Sequence, residues 1–241
     1  MLHAASHSAA SNPSPSEAEQ NPQNAHRGPL AAHSATRVFE RWFDKEPESG
    51  RTPLPGAVIT VSGPHGTGKS TYAKALAEAL NLRYVSAGEL FRNLAKQQNL
   101  SLEDFSHRAA DDPSIDQMLD ERTKAEAKKG GVVIDAQLGA WMVRDLADAK
   151  VLLTAPDAVR FKRIAERDRR AVADAMRETE NRESIQKQRY RKYYGIDVTD
   201  LSIYDLKIDT SLYTIEKTKA LIVDAVRNFL VRRGKLKASA S

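Results

Sequence analysis

From about residue 54 onward the chain alternates short apolar runs with longer stretches in which apolar residues recur every three or four positions. Short apolar runs bounded by turn residues read as buried strands, and the three-to-four spacing reads as one face of an amphipathic helix. The pattern predicts strands at 57–61, 83–86, 132–135, 150–154 and 206–209. It predicts helices at 69–80, 89–98, 102–110, 113–128, 158–167, 172–193 and 215–231. Ser101 with Asp104, and Asp112 ahead of Pro113, supply helix-start chemistry: a side-chain acceptor for orphan N–H groups and a proline where no N–H is needed. Strands alternating with helices predict an α/β fold, a five-stranded parallel sheet sandwiched by helices. The helices between the second and third strands break that rhythm, as an inserted lobe does.

The periodicity is missing at the ends. Residues 1–36 are rich in Ala, Ser, His, Asn, Gln and Pro, too poor in apolar surface to offset the entropy of ordering, and are expected to be disordered. They contain no apolar core of a secretory signal. His3, His7, His26 and His33 are irregularly spaced and read as solvated residues rather than metal ligands. Val38, Phe39, Trp42 and Phe43 have near-helical spacing, which predicts a short helix at 37–45 followed by a linker. The expected division is an extension and linker at 1–53, one folded domain at 54–233, and a basic flexible tail at 234–241, with fraying already from Arg232.

Composition narrows the function classes. The 241 residues are 41% hydrophobic and 29% charged, ordinary for a globular enzyme, and no apolar run has the length of a bilayer span, so no membrane partner is expected. Cysteine is absent, which removes disulfides and thiolate metal sites and favours a cytoplasmic location. An organelle transit peptide is the alternative, although the leader's scarcity of arginine argues against a mitochondrial one. The formal net charge of +5 fits nucleic acid or phosphorylated small molecules. The basic residues gather beside one candidate site instead of forming a stripe, and no aromatic-rich binding motif accompanies them, so small phosphorylated substrates are expected rather than nucleic acid; the chain is further expected to be a monomer, although nothing in the residues fixes the oligomeric state.

That site is the run GPHGTGKST between the first strand and the first helix. It fits G-x-x-x-x-G-K-[ST], and its strand–loop–helix context gives the motif physical meaning. Gly63, Gly66 and Gly68 let the loop turn its N–H groups inward, and the positive end of the next helix reinforces them. Pro64, His65, Thr67 and Thr71 complete the cradle for a nucleoside triphosphate, ATP. Lys69 reaches the β- and γ-phosphates, and the Ser70 hydroxyl binds the bridging Mg²⁺. His65 reads as a spacer, because phosphoryl transfer needs no strong base.

Four further stretches carry a family resemblance: SAGELFRNLA at 86–95, LSLEDFS at 100–106, LGAWM at 138–142, and RYRKYYGIDVTDLSIYDLKIDTS at 189–211. In order and spacing they resemble the archaeal-type cytidylate kinases, over about residues 58–226. The resemblance implies a nucleoside monophosphate kinase fold with an acceptor lobe near 88–130 and a mobile lid near 163–180. It implies transfer of the γ-phosphoryl group of ATP to CMP or dCMP, with Ser86, Arg92, Arg182 and Arg189 at the acceptor. Arg163 and Arg167 then flank the lid and close over the phosphates, and Arg160 on the same helix face is a substitute for either. Asp135, ending the third strand, holds a Mg²⁺-bound water or contacts the acceptor nucleoside. Lys187, Arg191 and Lys192 read as a solvated basic face, and Trp141 as core packing.

The pattern departs from the family at one place. Where the family carries Gly-Arg after the third strand, this chain has Ala136 and Gln137, so a charged donor to the acceptor nucleotide becomes an amide. Arg144 is a candidate to compensate. The alternatives are a related kinase with a changed acceptor, marked by Gln137, or a nucleotide-binding scaffold without catalysis.

Overall fold

The computed structural model describes residues 56–236, so the extension, the helix expected at 37–45 and the last five residues lie outside the described residues. Five strands form one parallel sheet: β1 (Val58–Ser62), β2 (Arg83–Ser86), β3 (Val132–Asp135), β4 (Ala149–Thr154) and β5 (Leu206–Asp209). Their spatial order is β2-β3-β1-β4-β5, with Val58 opposite Val132 and Ile59 opposite Ala149. Helices cover both faces, which is why the central strands are almost wholly apolar. Ile59 and Val61 point into a core closed by α1 (Lys69–Leu80) and α8 (Ile215–Arg232), where Leu76, Val151, Leu153, Ile222 and Leu230 pack together. Thr60 faces the other side, beside Gly139 of α5 (Gly139–Met142).

Between β2 and β3 lie α2 (Ala87–Gln97), α3 (Leu102–Asp111) and α4 (Pro113–Lys129). Ser86 ends β2 and caps α2, its Oγ accepting from the Glu89 N–H at 3.2 Å, so the strand passes directly into the helix two residues earlier than the periodicity predicts. Ser101 caps α3 through the Asp104 N–H at 3.0 Å. Asp112 caps α4 through the Ser114 N–H at 3.0 Å, with Pro113 at the first helical position. After β4 come α6 (Asp157–Asp168) and the long α7 (Val172–Tyr194).

One expectation changes. The turn of helix α5 has no counterpart in the predicted elements, because four residues are too few to show a period. At the basic end, where fraying is expected from Arg232, Lys235 Nζ lies 2.8 Å from Asp148 Oδ1 and Leu236 packs against the core. Among the described residues no helix is long and apolar enough to cross a membrane.

Candidate active site

The site lies along the carboxyl-terminal edge of the sheet, where β1 leads into the phosphate loop, β2 and β3 end in Ser86 and Asp135, and β5 leads to Thr210. In open α/β sheets this edge, at the point where strand order reverses, is where ligands bind. Two glycines show why the loop needs its sequence. Gly63 has φ 142° and a Cβ there would sit 2.2 Å from the Leu153 carbonyl oxygen; Gly66 has φ 80° and its Cβ would sit 2.6 Å from the Arg160 carbonyl oxygen. Both obstacles are backbone and cannot rotate away. Thr67 is fully buried and closes the loop, its Oγ1 donating to the Pro64 carbonyl at 2.9 Å. Thr210 Oγ1 donates to the Thr67 carbonyl at 3.0 Å, fastening the loop to the end of β5.

Helix α1 starts at Lys69 with neither a side-chain cap nor an acidic residue in its first turn. Its orphan N–H groups and positive dipole end are therefore left for an anion. Lys69 Nζ donates to the carbonyls of Gly63 (2.7 Å) and Pro64 (3.0 Å). Burial pushes the Lys69 ammonium below its ordinary range, and the carboxylates of Asp135 and Glu183 oppose that shift. Opposite it, the Ser70 hydroxyl donates to Asp135 Oδ2 at 2.6 Å, and the same oxygen accepts from Tyr84 (2.9 Å) and Ser86 (3.3 Å). A hydroxyl beside a buried carboxylate is the hard oxygen set that suits Mg²⁺, which retains several waters and takes few protein ligands.

A cavity of about 410 Å³ joins this edge to the helices facing it. Its wall brings together Lys69, Ser70, Thr71, His65, Gly66 and Gly68 with Ser86, Arg92, Asp135, Gln137, Arg163, Arg167, Arg182 and Arg189. Gly63, Pro64 and Thr67 stand behind the wall as the loop's frame. Arg182 is desolvated, which lowers its pKa, and its Nε has no hydrogen-bond partner. Arg189 is buried, with its Nε 2.6 Å from Asp116 Oδ2 and its guanidinium near the rings of Phe91 and Tyr190. Arg163 donates to Thr210 Oγ1 (2.9 Å) and to the Thr210 carbonyl (2.7 Å), so it is fixed at the end of β5, whereas Arg167 is mostly exposed beside Asp168.

Arg160 does not take the place of a lid arginine. It is buried, absent from the cavity wall, and paired with Glu183 and Asp157. Arg144 is exposed and outside the wall, so it does not replace the arginine that Gln137 displaces. Lys187, Arg191 and Lys192 are exposed. Trp141 packs edge-on against Tyr204 at 5.4 Å.

Sequence reasoning missed several polar groups here. Tyr84 lies two residues before Ser86 on the same strand face, a signal that period-two reading contains. Asp116, Asp120 and Thr123 line the cavity from α4 with no local motif to mark them. Burial pushes Asp120 up to about 6, although it accepts a hydrogen bond from the Tyr194 hydroxyl. Burial likewise raises Asp116, against the pull of Arg189. His65 falls well below its ordinary value through burial, reinforced by Lys69 and Arg182, and its ring is neutral.

A five-stranded parallel sheet with a phosphate loop on its central strand and a helix opening behind it is the architecture of a P-loop kinase. The chain belongs to the cytidylate kinase-like family, whose sequence profile matches residues 58–212. It is 51% identical over 173 residues to a cytidylate kinase of Staphylothermus marinus, covering 72% of this chain and 98% of that one. It is 49% identical over 174 residues to a cytidylate kinase of Aeropyrum pernix, covering 72% and 99%. A crystal structure of an uncharacterized protein from Eubacterium ventriosum shares the fold, with a TM-score of 0.53 at 20% identity, over 70% of this chain and 98% of that one.

Proposed function

We propose that the protein transfers the γ-phosphoryl group of ATP to CMP or dCMP, giving ADP and CDP or dCDP. The observation that carries this reading is one cavity whose wall holds both the phosphate loop and Arg92, Arg182 and Arg189. A phosphate oxygen of the monophosphate attacks the γ-phosphorus while the bond to the β–γ bridging oxygen breaks, and that oxygen leaves on ADP. The acceptor phosphate is already ionised near neutral pH, so the protein's task is positioning and charge neutralisation. Lys69 and the N–H groups at the start of α1 take the donor phosphates. Arg92, Arg182 and Arg189 take the acceptor phosphate, for which a planar guanidinium gives paired bonds and never deprotonates. Arg163 and Arg167 approach from α6 and neutralise charge on the group in flight. Ser70 and Asp135 would hold Mg²⁺, which supplies charge neutralisation across the donor phosphates. In this reading the kinase domain is 54–233, helices between β2 and β3 form the acceptor lobe near 88–130, and 163–180 is the lid. Phe91, Leu119 and Tyr190 give the base an apolar wall, with Asp120 and Gln137 at hand to read its edge.

The test is ADP release with ATP and Mg²⁺ while CMP, dCMP, UMP, AMP and GMP are offered singly. Selective stimulation by CMP or dCMP is expected, and Lys69→Ala should abolish it while the protein stays folded. Selective stimulation by a different monophosphate would overturn the acceptor assignment; full activity in Lys69→Ala would overturn the mechanism.

A further inference from the structure

His65, at the crest of the phosphate loop, is gripped from outside the loop at three atoms. Its N–H donates to Glu183 Oε1 at 2.9 Å, its carbonyl accepts from Arg160 Nη1 at 2.7 Å, and its ring Nε2 lies 3.1 Å from Gln186 Oε1. The two charged partners are themselves joined: Arg160 donates to Glu183 Oε1 at 2.8 Å and to Oε2 at 3.3 Å. Arg160 is anchored in turn on Asp157 of its own helix. The pair is largely withdrawn from water, with side-chain exposures of 6% for Arg160 and 14% for Glu183. Buried charge-assisted bonds of this kind are short, directional and intolerant of losing one partner.

The position of Glu183 gives the clamp its interest. It follows Arg182 directly in α7, one turn before Gln186 and two before Arg189, so a single helix carries both the grip on the loop and two acceptor-side arginines. Glu183 itself is absent from the cavity wall. The His65 amide is committed to α7, which leaves the remaining loop amides and the start of α1 to form the cradle.

We propose that Glu183 is a positioning residue for ATP: by holding the His65 amide and the Arg160 guanidinium together, it fixes the loop crest in its phosphate-binding shape. This rests on the function proposed above: on the phosphate loop as the ATP site for the proposal itself, and on CMP as the acceptor for its control. Without the carboxylate, the crest is released on its α7 side, and the buried guanidinium keeps only Asp157 and the His65 carbonyl as acceptors, so the crest loses its charged link to α7. ATP then meets a loop that it must order itself, and affinity falls by the cost of that ordering.

The experiment is calorimetric titration of MgATP into the full chain without acceptor, alongside the KM for CMP at saturating ATP. Glu183→Gln keeps the shape and an oxygen for the His65 N–H but removes the charge by which α7 holds Arg160, leaving Asp157 as its charged partner. ATP affinity should fall roughly ten- to a hundredfold in Glu183→Gln and further in Glu183→Ala, the scale of one lost charge-assisted bond, with the CMP KM within about twofold of wild type. Glu183→Asp keeps the charge but shortens the reach; it should also weaken ATP, and it serves as the test if Glu183→Gln does not fold. Unchanged ATP affinity in a folded variant would overturn the proposal. So would equal losses for ATP and CMP together with a lowered melting temperature, since that marks a general structural role. If the wild-type chain fails to bind ATP, the phosphate-loop reading beneath the proposal fails first, which separates the two.

Discussion

Replacing Asp120 with asparagine should make the protein more stable at neutral pH and leave its stability unchanged in acid. The carboxyl sits on α4 at the cavity wall, and burial pushes it up from 3.8 to about 6, with Asp116 adding to the rise and Tyr194, Lys124 and Arg189 opposing it. A folded-state pKa above the unfolded value means that the folded state prefers the protonated acid. That preference contributes stability in full below about pH 4 and is lost as pH rises through about 6. The shift is about two units at about 1.36 kcal/mol each, so ionised Asp120 costs up to about 3 kcal/mol near pH 7.5. Partial solvent access makes about 2 kcal/mol the lower end of the expected range. Asparagine cannot ionise, and its carbonyl still accepts from the Tyr194 hydroxyl. Urea unfolding at pH 4 and pH 7.5 should show the two proteins level in acid and the variant ahead at pH 7.5. The melting temperature at the higher pH should rise by about 4–10 °C, the shift such energies produce in a domain of this size. A difference that does not vary with pH, or a variant that loses stability at pH 7.5, would refute the assignment of burial as the cause. A weaker acceptor KM in the stabilised variant is expected to accompany the gain, since a carboxylate held at such cost beside the acceptor wall belongs to the site.

Two further outcomes follow from the loop and its neighbour. Gln137→Arg restores a charged donor to the acceptor side; a charge-assisted bond is worth about 1.5–3 kcal/mol, so the CMP KM should fall roughly ten- to a hundredfold. No change in steady-state kinetics would mean that other groups now do this work. Gly66→Ala places a Cβ against the Arg160 carbonyl and forces a left-handed conformation that costs about 1–2 kcal/mol on its own. ATP affinity by titration should drop at least about tenfold, and a variant that binds ATP normally would show that the loop adopts another path.

The parts of the fold that could be read from the chain are those written in neighbouring residues. The strand β1, the loop and α1 are one local pattern, and Ser101 and Asp112 announce their helices through caps formed within three residues. Boundaries moved by one or two positions where a side chain serves two elements: Ser86 both ends β2 and caps α2. The spacing of Arg160, Arg163 and Arg167 placed them on one helix side but could not say what each would meet. Arg163 reaches Thr210 and Arg160 reaches Glu183, contacts that only the assembled sheet creates. The same holds for the grip of Glu183 on His65, across 118 positions of chain. Asp116 and Asp120 were unreadable for another reason. An aspartate on a helix looks like solvated surface until the facing helix is known, and α7 supplies Arg189 and Tyr194 from far along the chain.

The strand order β2-β3-β1-β4-β5 has a consequence for how the protein comes into being. Of the described strands the first made is the middle one, and its neighbours arrive late: the Ser62 hydroxyl donates to the Ala136 carbonyl 74 positions on, and the Val58 N–H donates to the Asp148 carboxylate 90 positions on. Closing such long loops before any contact rewards them makes folding slow. On a ribosome, the glycine-rich turn leaves the tunnel among the earliest parts of the domain, yet it has no scaffold until β3 and β4 have followed. The Leu153 carbonyl that shapes the turn at Gly63 and the Arg160 that grips its crest are synthesised about a hundred residues later, on the order of ten seconds at common elongation rates. A nascent chain therefore carries its most recognisable sequence through more than a third of its synthesis without the scaffold that lets it hold nucleotide.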